Sequence, residues 1–216
     1  MALSVNSPNM TGQERMFAAL LGILVLLVAL TGLAPYERST WLMEVAPVLI
    51  VAPVLVATYR RFPLTPLLYA LIFIHAIVLI VGGAYTYARV PFGFWLQDLF
   101  SLTRNPYDRI GHFFQGFVPA LLAREFLIRK GRVESRRLVS FLAVCFAMAV
   151  SAWYELIEWA AALILGQGAD AFLGTQGDVW DTQWDMFMCF IGSTSAMLFL
   201  ARIQDQQMEK LPPVKS

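Results

Sequence analysis

Residues 16–34 read MFAALLGILVLLVALTGLA, which is an apolar stretch of 19 residues without a charged side chain. A transmembrane α-helix needs about 20 mostly apolar residues, so this stretch predicts a membrane-spanning helix. The stretch is longer than the apolar core of a typical signal peptide, and Pro35 stands where a cleavage junction would fall. We therefore expect the helix to be retained.

Five further stretches have the length and apolar character of a span. Together with the first, the predicted spans are residues 16–34, 41–58, 66–87, 109–128, 138–165 and 183–201. Their apolar runs are continuous and do not alternate with polar residues, which favours helices over a β-barrel. The sequence thus predicts an all-α, polytopic membrane helix bundle that forms a single domain over residues 1–216.

The composition supports a membrane protein. Hydrophobic residues make up 58% of the 216 residues and charged residues only 14%, whereas soluble domains carry about 45–50% and about 25%. The net charge of +1 provides no basic field for nucleic acid, so membrane lipid is the partner that the composition indicates. Cys145 and Cys189 fall within predicted spans, where we expect thiols and no disulfide.

The basic residues predict the orientation, because cytoplasmic loops of membrane proteins are enriched in Lys and Arg. With both termini in the cytoplasm, the cytoplasmic side holds twelve of the 16 basic residues: Arg15, Arg60, Arg61, Arg124, Arg129, Lys130, Arg132, Arg136, Arg137, Arg202, Lys210 and Lys215. The outer side holds Arg38, Arg89, Arg104 and Arg109. The fifth loop, residues 166–182, then faces outward and carries Asp170, Asp178 and Asp181 without any Lys or Arg.

Ionisable side chains inside a span are costly and usually face an internal cavity. Three predicted helices carry them at helical spacing: Asp108 and His112 with Gln115, then Glu155 and Glu158, then Asp178, Asp181 and Asp185. If the last helix begins near Asp178, its three carboxylates project from one side. The predicted topology brings all three groups to a similar depth near the outer face, so we expect one polar site there.

Six carboxylates cannot all stay ionised together in a pocket of low dielectric constant. They share protons, or cations compensate them. Arg104 and Arg109 are candidate cations and candidate contacts for an anionic substrate. A divalent metal is the other candidate: oxygen ligands suit Mg²⁺, Ca²⁺ or Mn²⁺, and a histidine with carboxylates also suits Zn²⁺.

Three functions are compatible with such a site. In an enzyme acting on a lipid or envelope substrate, Asp108 would orient His112 as the general acid or base. The metal would be held by Glu155, Glu158, Asp178, Asp181 and Asp185. The alternatives are a structural or partner-binding membrane protein with an ion cluster, and a carrier or channel for a cation or proton. The predicted inner halves of the spans are mostly apolar, which argues against transport.

Three motifs carry a resemblance to a known family: RNPYDRIGHFFQGFVPALLAREF at residues 104–126, YELIEW at 154–159 and QGDVWDTQWDMFMCFIGS at 176–193. They resemble the YjdF family of bacterial inner-membrane proteins over most of the chain. This resemblance implies a multi-pass protein of the bacterial inner membrane and no particular activity. A looser similarity to VanZ-like proteins rests on residues 108–112, which begin with Asp108 and end with His112, and on Asp181 and Asp185. VanZ-like proteins have Lys in place of Arg109 and Asn in place of Asp185.

Other polar residues are expected to have interfacial or packing roles. Glu44 is expected at the membrane interface, and Arg124 and Glu125 are expected to extend towards the inner surface. His75 has no charged neighbour in the sequence, so we expect a packing role. The aromatic segment 88–108 is typical of a lid or a short interfacial helix.

Overall fold

The protein is all-helical in the residues that its computed structural model describes, which are 12–131, 133–165 and 175–213. The helices are α1 (Gly12–Leu33), α2 (Arg38–Thr58), α3 (Pro66–Tyr85), α4 (Pro91–Leu99), α5 (Tyr107–Arg129), α6 (Arg136–Leu165), α7 (Asp181–Phe199) and α8 (Ala201–Met208). Three residues of the sequence predictions lie outside the described ranges: Arg132, Asp170 and Lys215.

Local sequence signals explain where α2 and α3 begin. The Glu37 carboxylate accepts hydrogen bonds from the backbone amides of Ser39 and Thr40, which satisfies two donors at the start of α2. The hydrogen bonds from Ser39 and Thr40 lower the pKa of Glu37 to about 2. Thr65 caps α3 in the same way, and Pro66 occupies the first turn, where its missing N–H is not needed.

Four helices are long and apolar enough to cross a bilayer in the described ranges: α1 from Glu14, α2, α3 and α6 to Ile164. Helices α7 and α8 are long and apolar enough to cross a bilayer only when they are taken together, and the pair is bent by 56° at Leu200. The described chain therefore has four or five candidate spans. The fourth predicted span, residues 109–128, corresponds to α5, which has the length of a span but is too polar to be one of these candidates. Six spans stay a prediction.

Helix α5 lies inside the bundle, where it packs against α3, α6, α7 and α8. This position accommodates its polar side chains. Its contact with α7 is the most extensive and is made through glycine. A methyl group on Gly116 would overlap the carbonyl of Cys189, and one on Gly192 would overlap the carbonyl of Phe113. Small residues let two membrane helices approach closely in this way. The low hydropathy of α5 is thus explained by its neighbours, which are protein helices and not lipid.

We expect Gly192→Ala to lower the free energy of unfolding by about 1–3 kcal/mol, the usual cost of overpacking a close contact. The reason is that the new methyl group forces α7 away from the α5 backbone. Gly22→Ala in α1 is the matched control, because a methyl group there meets no atom within 4 Å. Unfolding of the purified variants in detergent micelles measures both. Equal stability of the two variants would contradict the close α5–α7 contact.

Candidate functional site

His112 lies at the centre of the histidine cluster, which we define as Asp108, His112, Gln115, Glu155 and Asp185. Its Nε2 atom is 3.6 Å from Asp108 Oδ1 and 3.9 Å from Asp185 Oδ2. Its Nδ1 atom is 3.0 Å from Gln115 Oε1 and 3.7 Å from Glu155 Oε1. Helices α5, α6 and α7 each contribute to the cluster, so the expected convergence of three helices is present.

Gln115 Oε1 faces Nδ1 of the His112 ring. In the neutral tautomer that donates from Nδ1–H to this oxygen, Nε2 carries the lone pair. That lone pair points at two carboxylate oxygens, from Asp108 and Asp185. Three electron-rich atoms facing one another repel unless a proton or a cation lies between them. The cluster therefore requires a proton or a cation between these atoms.

The donor set fits a metal. One atom each from Asp108, His112 and Asp185 lie within 4.8 Å of one another, and all three residues are buried. Asp185 is only 2% exposed, yet its Oδ1 atom has no hydrogen-bond partner among the described residues. Glu155 Oε1 is likewise without one in the described part of the chain. Buried carboxylate oxygens are nearly always paired, so these two point to a cation or a proton as their partner.

Arg104 connects the cluster to the segment before α7. It donates a hydrogen bond to Asp181, and its guanidinium lies 3.6 Å from Asp108 Oδ2 and 3.5 Å from Asp178 Oδ2. Arg109 also binds Asp178, at 3.1 Å. Asp178 and Asp181 are thus neutralised by arginine, which makes them weaker candidates for metal ligands than Asp185.

A cavity of about 730 Å³ opens beside the histidine cluster. Asp108 and His112 line it, whereas Asp185 does not. An ion held by these three residues would be accessible from the cavity past Asp108 and His112. The remaining walls come mainly from apolar residues of α1, α2, α3 and α5. Ligand cavities of proteins typically enclose about 300–1,000 Å³ and combine apolar walls with a few polar groups.

The structure differs from the sequence interpretation at three positions near the site. Helix α7 begins at Asp181, so Asp178 lies in the preceding loop and caps Trp180 with a 2.9 Å hydrogen bond. Glu158 lines the cavity and is not part of the three-residue metal group. Glu44, expected at the interface, is buried and accepts a 2.8 Å hydrogen bond from Tyr154.

A second polar cluster lies at the other end of α5. It comprises Thr65, Arg124, Glu125, Arg129, Gln204 and Asp205. The expectation that Arg124 and Glu125 extend towards the surface is wrong, since they are 2% and 0% exposed. Arg124 binds Asp205 at 2.8 and 2.9 Å, and Glu125 binds Arg129 at 2.7 Å. Because these charges are paired, the second polar cluster is structural in character.

Residues 16–206, most of the chain, match the family described as "Predicted membrane protein (DUF2238)". The chain belongs to this family. "Inner membrane protein YjdF" of Escherichia coli (strain K12) is 59% identical to it over 187 residues, which is 87% of this chain and 90% of that protein. No solved structure is significantly similar to the chain. The family match and this relative confirm the resemblance stated from the sequence and show a multi-pass protein of the inner membrane.

Proposed function

We propose that this DUF2238 protein is a divalent-metal-dependent enzyme that acts on the polar head of a membrane lipid. The observation that carries the proposal is the position of Asp108 and His112, which both line the large apolar cavity and both belong to the three-residue metal group. A lipid chain fits apolar walls, and its head would then meet the only cluster of the described residues with metal-ligand geometry.

In this proposal Asp108, His112 and Asp185 hold the metal, with His112 Nε2 as the nitrogen ligand. Gln115 acts on the other ring nitrogen and holds the tautomer that leaves Nε2 available, as partners of metal-binding histidines commonly do. A bound divalent ion would supply Lewis-acid polarisation of a substrate oxygen. Glu155, next to Nδ1, is placed to hold a proton beside the ring.

This ligand set differs from the one proposed on sequence alone, which gave Asp108 and His112 to acid–base catalysis. Asp185 Oδ1, which has no hydrogen-bond partner among the described residues, favours the new set. Asp178 and Asp181 are weaker candidates because they already bind arginine. Arg104 and Arg109 then hold the start of α5 to the start of α7. A contact of either arginine with an anionic substrate stays part of the proposal.

The proposal also includes six spans, with both termini cytoplasmic and the histidine cluster near the outer face. The distribution of basic residues supports this orientation. The burial of α5 among other helices supports its inclusion as a span despite its charges. The similarity to VanZ-like proteins likewise remains a prediction from Asp108, His112, Asp181 and Asp185.

Metal binding is tested by thermal unfolding of the purified protein with Mg²⁺, Mn²⁺, Ca²⁺ or Zn²⁺. At a hundredfold excess over Kd a ligand adds about 2.7 kcal/mol, which raises Tm by about 5–10 °C in a protein of this size. Asp185→Asn removes one ligand charge and is expected to abolish the shift. Asp98→Asn is the matched control, because Asp98 is exposed on α4.

The enzymatic part is tested in cells that lack the chromosomal copy of the gene. Supplying the wild-type protein or the Asp98→Asn variant to these cells is expected to cause the same change in their lipid mass spectrum. Supplying Asp185→Asn is expected to cause no such change. A metal-dependent Tm shift without any lipid change would make the ion structural. Absence of a Tm shift with all four metals would refute the metal site.

A further inference from the structure

The cavity extends along much of the bundle. Glu44 lines it near the start of α2, and Tyr59 lines it at the end of that helix. These residues are fifteen positions apart, which corresponds to about 22 Å of helix. Phe17 of α1 lines the same end, where its ring centroid is 5.5 Å from that of Tyr59. The cavity is therefore long enough to hold an extended hydrocarbon chain.

The end of the cavity next to His112 is acidic. Glu44 of α2 and Glu158 of α6 line it together with Asp108. The Tyr154 hydroxyl donates to Glu44, and the Tyr154 ring lies 6.4 Å from the His112 ring. Two helices that otherwise hardly touch, α2 and α6, thus meet at this end through Glu44 and Tyr154.

Glu158 differs from the other carboxylates of the site because no partner for it is found among the described residues. It is only 9% exposed, and no hydrogen bond or ion pair to it occurs within the described ranges. Glu44, which is 3% exposed, is hydrogen-bonded by tyrosine but likewise has no ion pair with a basic side chain of the described chain. A buried carboxylate without a partner is costly, so its retention next to a cavity points to a cationic ligand.

The lining excludes an anionic group at this position. Arg60 is the one Arg or Lys among the described lining residues, and it lies just beyond Tyr59 at the opposite end of the cavity. Tyr87 and Tyr154 also line the acidic end. Aromatic rings and carboxylates together suit an alkylammonium group, which carries a positive charge on a compact head.

We propose that Glu44 and Glu158 form a binding subsite for the protonated amine of an amine-headed lipid whose chain lies in the apolar part of the cavity. The subsite deepens the proposed function by naming the lipid class, and it rests on that function only for lipid binding in the cavity. It requires no metal, so the two proposals can fail separately.

The test is lipid binding measured by native mass spectrometry on the purified full-length protein in the presence of EDTA. The probes are phosphatidylethanolamine and phosphatidylglycerol with identical acyl chains, and soluble ethanolamine as competitor. We expect the wild-type protein to bind phosphatidylethanolamine at least about tenfold more tightly, because hydrogen bonds to charged groups contribute about 1.5–3 kcal/mol. Soluble ethanolamine at the same concentration is expected not to compete, since it lacks the chain.

Glu158→Gln and Glu44→Gln preserve side-chain size and are each expected to remove this preference while leaving phosphatidylglycerol binding unchanged. Asp98→Asn and Asp185→Asn are expected to retain it, which separates the amine subsite from the metal site. Equal binding of the two lipids by the wild-type protein would overturn the proposal whether or not the variants fold. Full preference in both glutamine variants, or competition by ethanolamine, would also overturn it.

Discussion

Glu125→Ala is expected to lower the free energy of unfolding by about 3–5 kcal/mol, the cost of removing one partner of a buried ion pair. Glu125 is fully buried and accepts hydrogen bonds from Thr65 N at 3.1 Å, Thr65 Oγ1 at 2.9 Å and Arg129 Nη1 at 2.7 Å. Its removal leaves the Thr65 amide without its acceptor. The Arg129 guanidinium then keeps the carbonyl oxygens of Pro63 and Pro212 but has no carboxylate partner among the described residues. Both groups lie where water has little access.

The measurement is thermal unfolding in detergent micelles, where this loss corresponds to a decrease in Tm of at least about 6 °C. Glu125→Gln is expected to lie between wild type and Glu125→Ala, because an amide retains an acceptor but not the charge. Glu209→Gln is the control, since Glu209 is exposed just after α8. If Glu125→Ala unfolds at the temperature of that control, the second polar cluster contributes no stability.

This cluster also shows what the sequence pattern could not provide. Arg124 and Glu125 lie near the end of a predicted span, where long charged side chains usually reach the membrane surface. Their burial depends on Gln204 and Asp205, some eighty positions later, which approach only because the chain bends by 56° between α7 and α8. Neither proline nor glycine stands at Leu200, so no local signal indicates the bend.

Helix positions were predictable to a much greater extent. Each of the six predicted spans coincides with a helix, with boundaries that differ by a few residues, because apolar length is a local property. The spacing of Asp108 and His112 likewise predicts that they share a face of α5, and their 3.6 Å contact agrees. The hydrogen bond between Glu44 and Tyr154 joins residues 110 positions apart, and helical spacing carries no information on such pairs.

His112→Ala is expected to abolish both the metal-dependent rise in Tm and the lipid change, because it removes the one nitrogen ligand of the three-residue group. The neighbouring variant Gln115→Leu tests the mechanism in a graded way. It leaves the three metal ligands in place but removes the 3.0 Å hydrogen bond that orients the ring. Loss of such a partner typically lowers metal affinity by about 10–100-fold, which titration calorimetry with Mn²⁺ measures.

His75→Ala is the matched control, because His75 lines the same cavity from α3 and packs against Phe114 at 6.2 Å. No carboxylate forms an ion pair with it in the described part of the chain, so its removal changes the cavity without changing the metal ligands. We expect it to retain wild-type Mn²⁺ affinity. An equal loss of affinity in the His75 and His112 variants would mean that the ion responds to cavity shape, and Asp108, His112 and Asp185 would no longer be its ligands.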